Sequence, residues 1–363
     1  MYGDRLPGRN AIQRSSRRGS YSGPDVTVHT RKAVSVSLLV PMYNEEESAD
    51  LFLDTVQPLL SEITDDYEII CVSDGSTDST VERLLERRAM DGRIKIIELS
   101  RNFGKEAALS AAIDVCSKDV AIPIDVDLQD PPELIGQMIA KWREGYDVVY
   151  AVRAQRPYDG LLKRLTAGAF YRVFSVLSGT KLPNAPDFRL LDRQVVAALR
   201  LLPERNRFMK GLFVWVGFRQ TAVMFQRSQR RAGATKYRYW SMWNNAIDAI
   251  TSFSTTPLRL WTYVGFLLST ASFAYGLIAI LQKLLGGYVV QGWASIIAVV
   301  AFLGGIQLMS LGIMGEYLGR IYSEIKGRPI YLVRNAIGLE ADENAARLRK
   351  SSQLVLQEHE GWN

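Results

Sequence analysis

Two carboxylates that flank a single residue form the segment of this sequence most suited to chemistry. Asp125 and Asp127 directly follow the short apolar run 120–124. Two such charges about 4 Å apart repel each other by about 4 kcal/mol at an effective dielectric constant of ~20, so a cation is expected beside them. A divalent cation could also clamp a diphosphate and neutralise charge on a leaving group. The alternative is an acidic surface turn that caps a helix at Pro131, and the tight apolar run before it disfavours this.

Polar and aromatic residues also follow the other apolar runs. Tyr43 and Glu45 follow the first run, and they suit stacking on a base and accepting a hydrogen bond from a ribose or base. Asp74 ends the second run and could accept from a base or ribose. Residues 101–106 place cations at a helix N-terminus, which suits phosphate, although a simple turn with Gly104 at the start of the helix explains them equally well. Neither a G-x-G-x-x-G nor a Walker A sequence is present.

The scarcity of histidine limits the chemistry further. His29 and His359 both lie in polar tails, so a metal site in the folded part must use mainly oxygen ligands. That favours magnesium or manganese over zinc and argues against a histidine general base. Cys71 and Cys116 have neither metal nor redox spacing, and Cys71 lies in an apolar run typical of a buried free thiol.

Alternating strand and helix patterns must position these residues. Apolar runs predict strands at 34–40, 67–73, 94–99, 120–124 and 147–151, with helices at 46–60, 79–90, 105–117 and 131–144 between them. This order predicts an α/β fold with a mostly parallel, doubly wound sheet, which binds ligands at the carboxyl ends of its strands. Beyond residue 151 the pattern loosens, and it predicts helices at 161–178 and 193–201 and a strand at 221–226.

Two uncharged stretches, 260–281 and 294–315, are each long enough to cross a bilayer as a helix. Buried core helices are the alternative, but two in tandem are rare in soluble domains. Arg259 precedes the first stretch, and the connector carries only Lys283. The cations after the second stretch are Arg320, Lys326, Arg328 and Arg334. The positive-inside rule therefore places both chain ends in the cytoplasm and the connector outside.

The remaining segments are basic or amphipathic. Residues 1–32 are predicted to be a disordered basic arm without a signal-peptide core, and residues 227–237 form a basic loop. A helix at 239–253 carries Trp240 and Trp243 at helical spacing, which favours an interfacial helix over one packed on the core. The net charge of +6 suits an anionic membrane surface, and we find no nucleic-acid recognition motif.

These features divide the chain into an α/β domain and a membrane anchor. The boundaries we predict are a basic arm at 1–32, an α/β domain at 33–238 with the loop 227–237, an interfacial helix at 239–257, transmembrane helices at 258–282 and 294–318, and a cytoplasmic tail at 319–363. Gly304, Gly305 and Gly312 are compatible with helix packing in a homo-oligomer, but the sequence leaves the oligomeric state open.

In combination, these strings resemble the family 2 inverting glycosyltransferases with a GT-A (Rossmann-like) fold, and within them the polyprenyl-phosphate sugar transferases. The resemblance covers roughly residues 34–333. It implies that the nucleoside is held by Pro41, Tyr43, Glu45 and Asp74. It also implies that Asp125, Val126 and Asp127 form the acidic donor-metal motif, with Asp127 and Gln129 as ligands of Mg²⁺ or Mn²⁺.

The same resemblance extends to residues outside that motif. Arg153 matches a donor-binding arginine, and Lys105 belongs to a segment suited to the donor phosphates. Arg230 and Lys236 resemble the phosphate ligands of a flexible acceptor loop, where they would meet the donor diphosphate and the lipid phosphate. Asp187 and Arg189 lie in an Asp-Phe-Arg string that looks like the bacterial glucosyl-type members, and Asp187 could orient the sugar or phosphate.

The activity implied is a single in-line displacement with inversion, in which polyprenyl phosphate attacks UDP-glucose at the cytoplasmic membrane. Many relatives have alanine where this chain has Val126, so UDP-galactose, an N-acetylated UDP-hexosamine and GDP-mannose stay open as donors. Diacylglycerol or ceramide as acceptor would need a general base for its hydroxyl. A non-catalytic scaffold or flippase is disfavoured by the acidic pair and by spans with few polar residues.

Overall fold

Residues 33–153 alternate strand and helix as the hydrophobic pattern predicts. The computed structural model describes residues 33–153, 187–205, 207–225, 256–285 and 292–339. The strands are β1 Val36–Met42, β2 Tyr67–Ser73, β3 Ile94–Leu99, β4 Val120–Pro123, β5 Val148–Arg153, β6 Arg189–Asp192, β7 Gln220–Phe225 and β8 Val333–Ile337. The helices are α1 Ala49–Ile63, α2 Thr80–Met90, α3 Lys105–Val115, α4 Leu134–Arg143, α5 Arg193–Leu201, α6 Met209–Trp215, α7 Thr256–Leu284 and α8 Trp293–Ile325.

One mixed sheet organises the domain, in the order β7-β5-β6-β4-β1-β2-β3-β8. The pairs β1–β2, β1–β4, β2–β3 and β5–β7 are parallel, whereas β6 and β8 run antiparallel to their neighbours. The predicted α/β, mostly parallel architecture is confirmed. Strands β1 and β4 are adjacent, but β1 connects to β2 on one side of this pair and β4 connects to β5 on the other. The carboxyl ends of the two strands therefore open a crevice at this topological switch point.

Helices cover both faces of the sheet, which explains why the central strands are mainly apolar. The buried Ser37 and Glu68 are exceptions, and they are hydrogen-bonded to each other. All seven residues of β2 are buried. Helices α1, α2 and α4 pack on one face, and α3, α5 and α6 pack on the other. Helix α3 is rich in alanine on its buried side, and such small side chains let it lie close to β1 and β2. A parallel sheet buried on both faces reads as continuous hydrophobic runs, as these strands do.

Three short elements were not predicted. Strands β6 and β8 have four and five residues, and helix α6 has seven, so none is long enough for a clear periodic signal. Strand β8 also corrects the predicted boundaries, because residues 333–337 lie within the segment assigned to a tail and yet pair with β3. The sheet is thus completed from beyond the two long apolar helices. Cys71 and Cys116 are buried free thiols, and burial raises the pKa of each to about 12.

The helices α7 and α8 are both long enough and apolar enough to cross a membrane. Their apolar windows, Trp261–Ile278 and Ala298–Ile325, bury none of their residues within the protein, unlike a core helix. Length and composition therefore agree with the predicted spans. The predicted arm 1–32, helix 161–178, loop 227–237, interfacial helix 239–253 and polar end 340–363 lie outside the described residues.

The turn after β2 depends on a glycine. Gly75 has φ +66°, and a Cβ on it would lie 2.4 Å from the carbonyl carbon of Arg101. We expect Gly75→Ala to lower the free energy of unfolding by about 2 kcal/mol or more, because a left-handed backbone and a backbone clash both oppose the methyl group. Thermal and denaturant unfolding of the full chain would measure this.

Gly136→Ala is the matched control for that substitution. Gly136 lies inside α4, and a Cβ added there would have nothing within 4 Å of it. Alanine at this position should be neutral or stabilising, since glycine is unfavourable inside a helix. Equal stabilities of the two variants would contradict a close contact between the loop after β2, which contains Gly75, and the loop after β3, which contains Arg101.

Candidate active site

The carboxyl ends of β1, β2 and β4 border an open pocket of about 400 Å³. Its lining unites residues that are up to 86 positions apart in the sequence, from Pro41 to Asp127. The lining residues predicted from the sequence are Pro41, Tyr43, Glu45, Asp74, Lys105, Asp125, Val126 and Asp127. Met42, Asn102, Gly104 and Ala108 complete it. The structure therefore brings together seven of the ten residues predicted to bind the nucleotide sugar, with Asp127 beside them, and the roles of these residues remain predictions.

Two strained residues shape the loops around this pocket. Among the described residues, the only non-glycine positions with positive φ are Asn44, at 53°, and Leu128, at 51°. The Asn44 side-chain oxygen accepts from the backbone N–H of Thr77 at 2.8 Å. The turn at Leu128 lets the N–H of Gln129 donate to Asp127 at 3.1 Å. Such conformations are costly and cluster at functional sites, where the surroundings hold them.

The Asp74 side chain links the loop after β2 to the loop after β3 by hydrogen bonds. Its carboxylate is 3% exposed, and it accepts from the backbone N–H groups of Phe103 at 2.7 Å and Gly104 at 2.8 Å. Burial raises the pKa of Asp74, and the two N–H donors partly offset that effect. Both oxygens are thus engaged in holding the loop that begins α3, while the residue still lines the pocket. Gly104 has φ +100° and is the N-cap of α3, as the turn interpretation predicted.

Lys105 supplies the cation that the acidic segment requires. Its ammonium group lies 2.6 Å from Oδ1 of Asp125 and 2.9 Å from Oδ2 of Asp187. Lys210 approaches the other oxygen of Asp187 at 3.8 Å. Asp187 lies 62 positions after Asp125 in the sequence, so this cluster is a product of the tertiary fold. The repulsion inferred for Asp125 is therefore relieved by a lysine.

The charges in this cluster shift one another's titration. Burial alone would lower the pKa of Lys105, but Asp187 and Asp125 outweigh it and raise that pKa above its usual value. Burial would raise the pKa of Asp187, yet Lys105 and Lys210 hold it below the usual range. The lysine and Asp187 are accordingly both charged at neutral pH. Across the pocket, burial and the nearby Asp127 raise the pKa of Glu45.

Glu106 lies beside this cluster and was not predicted as a site residue. One of its carboxylate oxygens accepts from the backbone N–H of Met209 at 3.3 Å. Burial, reinforced by the negative charge of Asp187, raises the pKa of Glu106 to about 7. Lys210 and Asn102 were also missed. Asn102 and Glu106 lie within the 101–106 string, in which only the cations indicated phosphate binding, whereas Lys210 belongs to no recognisable motif.

The pocket offers oxygen ligands that fit a divalent cation completed by a substrate. Asp127 is exposed to the pocket, and the turn at Leu128 folds Gln129 back toward it. Among the described residues no group of three or more His, Cys, Asp or Glu side chains could by itself hold a metal. Magnesium commonly binds through one or two carboxylates together with substrate phosphates, which is compatible with this arrangement.

Other predicted residues lie away from the pocket or outside the description. Arg189 is 2% exposed, and its guanidinium stacks over the Phe213 ring at 4.2 Å. Burial lowers its pKa to about 10. It belongs to the core beneath the site and is not among the residues that line the pocket, so the catalytic role that the resemblance suggests for it remains a prediction. Arg153 ends β5 with its side chain outside the described part, as are Arg230 and Lys236.

Comparison with known proteins decides the family. Residues 37–200 match Glycosyl transferase family 2, and residues 256–321 match the GtrB C-terminal hairpin. An uncharacterised glycosyltransferase of Synechocystis sp. is 51% identical over 308 residues, which cover 85% of this chain and 97% of that relative. The chain belongs to glycosyltransferase family 2. This family 2 glycosyltransferase has the GT-A fold predicted for it.

Further relatives share nearly the whole of their length with this glycosyltransferase. The SfII prophage-derived bactoprenol glucosyl transferase of Shigella flexneri is 45% identical over 304 residues, covering 84% of this chain and 98% of the relative. Among solved structures, mannosyl-3-phosphoglycerate synthase from Rubrobacter xylanophilus superposes with a TM-score of 0.43 at 19% identity, covering 62% of this chain and 74% of that one.

The raised pKa of Glu106 predicts a pH-dependent stability. A carboxyl group whose pKa is raised from 4.5 to about 7 stabilises the folded protein fully below pH 4.5 and loses that contribution as the pH rises through 7. Between those values the free energy of unfolding of the wild type should fall by up to about 3 kcal/mol relative to that of Glu106→Gln. Denaturant unfolding at several pH values would measure the difference.

A control separates this effect from the other titrating groups. Glu82 is exposed on α2, and Glu82→Gln should retain the pH dependence of the wild type. Glutamine at position 106 can still accept from the Met209 N–H, so the packing should persist. Parallel curves for the wild type and Glu106→Gln would show that the pKa of Glu106 is the same in the folded and unfolded states.

Proposed function

We propose that this enzyme transfers glucose from UDP-glucose to the phosphate of a polyprenyl lipid, with inversion, at the cytoplasmic face of the membrane. The observation that carries this proposal is the 45% identity, over 98% of its length, to a relative named bactoprenol glucosyl transferase. The pocket at the strand ends and the two exposed apolar helices support it, because such a reaction requires a nucleotide site and access to a lipid.

The reaction needs little proton transfer from the protein. An oxygen of the lipid phosphate attacks the anomeric carbon as the bond from that carbon to the diphosphate oxygen breaks, and the nucleoside diphosphate departs with the electron pair. A phosphate monoester is already anionic near neutral pH, so the nucleophile requires no general base. The protein's contribution is then positioning and electrostatic stabilisation, which the preorganised charges of the pocket can supply.

Each part of the pocket has a proposed role. Tyr43 and Glu45, with Pro41 and Asp74, form the nucleoside end, while Lys105 places a positive charge beside Asp125 for the donor phosphates.

The metal ligands and Asp187 have proposed roles of their own. Asp127 and Gln129 would hold Mg²⁺ or Mn²⁺. When bound, the cation would neutralise charge on the leaving diphosphate. Asp187, held by Lys105, would orient the sugar or phosphate from the opposite loop.

The membrane supplies the acceptor. We propose that α7 and α8 span the bilayer with both chain ends in the cytoplasm, as the flanking cations favour. A long polyprenyl chain stays in the hydrocarbon, and its phosphate lies in the headgroup plane. Confining the enzyme to the same surface raises the effective concentration of the lipid.

The direct test supplies purified full-length protein with polyprenyl phosphate and a panel of labelled nucleotide sugars. UDP-glucose should give the highest transfer, with UDP-galactose or an N-acetylated UDP-hexosamine next. A clear preference for GDP-mannose would overturn the donor, and transfer to diacylglycerol but not to polyprenyl phosphate would overturn the acceptor. Nuclear magnetic resonance of the product would report whether the anomeric configuration is inverted.

Asp127→Asn should reduce turnover by about 100-fold or more, because loss of a cation ligand removes about 3 kcal/mol or more of stabilisation of the leaving diphosphate. Initial-rate transfer assays with varied Mn²⁺ would measure this. The control Glu133→Gln makes the same change of charge six residues away, at an exposed position outside the pocket lining. Near-normal turnover of Asp127→Asn, or undiminished wild-type activity in excess chelator, would remove the metal from the proposal.

Lys236→Ala should lower catalytic efficiency at least tenfold, since hydrogen bonds to charged groups are typically worth ~1.5–3 kcal/mol. The expected loss affects both donor and acceptor, because the lysine is proposed to meet both phosphates. Steady-state kinetics with each substrate varied would show it. Lys141→Ala, on α4, is the matched control for losing one cation. Kinetics identical to the wild type would indicate that Lys236 is solvated and binds neither substrate phosphate.

A further inference from the structure

A second pocket, of about 760 Å³, lies where the end of α8 meets the catalytic domain. It opens between the loop after β3, the segment after α5 and the chain that leads from α8 to β8. The described residues that line it include five cations and one carboxylate, Glu316. The cations are Arg101, Arg205, Arg320, Lys326 and Arg328. This is an excess of positive charge in a concave site that the proposed reaction does not use.

Three of these cations have no acidic partner among the residues that the structure describes. Arg101 stacks over the Phe103 ring at 4.0 Å, and Lys326 lies 4.6 Å from the centre of the Tyr322 ring. Neither these two nor Arg328 forms an ion pair within the described part of the chain. Arg205 donates from its backbone N–H to Glu324 at 3.0 Å and from its guanidinium to the carbonyl of Arg328. Cations gathered in this way repel one another unless an anion enters.

The pocket lies at the depth of lipid headgroups if α8 spans the bilayer. The uncharged stretch of α8 ends at Gly315, which is the first residue of α8 in the lining. From Glu316 to its end at Ile325 the helix extends about 15 Å further, at 1.5 Å per residue. Gly315 and Gly319 are four residues apart, so they lie on one face of the helix and leave it open. A phosphate group could approach the helix there while its acyl chains stay beside the apolar face.

The position of the pocket argues against the reacting lipid as its occupant. The lining loops adjoin β3 and β8 at one edge of the sheet, whereas Asp127 follows β4. Three inter-strand steps separate β3 from β4, which is about 14 Å at ~4.8 Å per step. No residue that lines this pocket also lines the first pocket, so a phosphate bound here would not lie beside Asp127. An anion that stays bound and does not react fits the location better.

We propose that this pocket binds the phosphate headgroup of an anionic membrane phospholipid and so fastens the catalytic domain to the membrane surface. The proposal rests on the membrane location of α8 that forms part of the proposed function, and it does not depend on the transfer reaction. The headgroup would meet Lys326 and Arg328 from α8 and its exit, together with Arg101 from the domain. One lipid would thus join the two parts of the chain.

The test measures lipid retention by the full chain in mild detergent. Native mass spectrometry would titrate the protein with phosphatidylglycerol, phosphatidylcholine or inorganic phosphate, without any sugar donor. The wild type should prefer phosphatidylglycerol. Lys326→Gln/Arg328→Gln should bind it about 30-fold more weakly, at about 1 kcal/mol for each cation lost near a membrane surface. Lys141→Gln/Arg143→Gln removes two cations from α4, which packs on the opposite half of the sheet, and should bind like the wild type.

Each of the following outcomes would overturn the proposal. Equal binding of phosphatidylglycerol by the wild type and the pocket variant would exclude the pocket, and equal binding of both lipids would exclude recognition of charge. Binding of inorganic phosphate as tight as that of the lipid would indicate a soluble ligand. A pocket variant with an unchanged affinity for phosphatidylglycerol but a raised KM for polyprenyl phosphate would assign the pocket to the acceptor.

A second variant and a separate readout keep these results distinct from other failures. Arg101→Gln changes the domain side of the pocket alone and should also weaken retention of phosphatidylglycerol. Thermal unfolding would confirm that each variant is folded. If no sugar transfer is detected in any assay, the proposed reaction fails, while selective retention of phosphatidylglycerol would still support this site.

Discussion

One ammonium group joins the two halves of the active-site edge. Lys105, at the start of α3, contacts Asp125 after β4 and Asp187 before β6. Its side chain is 42% exposed, so solvent screens the pair and its contribution to stability is modest. Its main effect is on position, because it holds Asp187 next to Asp125, which lines the pocket. The preorganised charge that results is what a diphosphate-binding site needs.

The loop that precedes Lys105 is itself held in place by hydrogen bonds to Asp74. Asp74 accepts from two backbone N–H groups immediately before α3, and Gly75 allows the Arg101 backbone to pass at contact distance. Buried carboxylates are costly unless they are hydrogen-bonded, so this clamp resists rearrangement of the loop. The sequence Phe103-Gly104-Lys105 therefore begins the helix at one place only. Strain at Asn44 and Leu128 on either side belongs to the same rigid rim.

The apolar helices are bound into the catalytic domain at their far end. After α8 the chain returns to form β8, where Ser100 donates to the carbonyl of Leu332 at 2.9 Å and Asn335 contacts Glu98 at 2.6 Å. The Tyr331 hydroxyl donates to Asp114 on α3 at 2.6 Å. Because α3 also begins with Lys105, one helix connects the returning chain with the pocket. An anchor that merely trailed from the domain would make no such contacts.

The central sheet, most of the pocket lining and the two long apolar helices could be predicted from the sequence alone. Continuous apolar runs such as that of β2 and the polar residues after them predicted the parallel sheet and the pocket lining, since parallel strands must present their carboxyl ends at one edge. Two uncharged stretches predicted the long helices. Only the tertiary structure decided that Lys105 pairs with Asp187, that Arg189 is buried under Phe213, and that β8 returns to the sheet. These facts depend on contacts between distant segments, and short strands and single charges carry no periodic signal from which such contacts could be read.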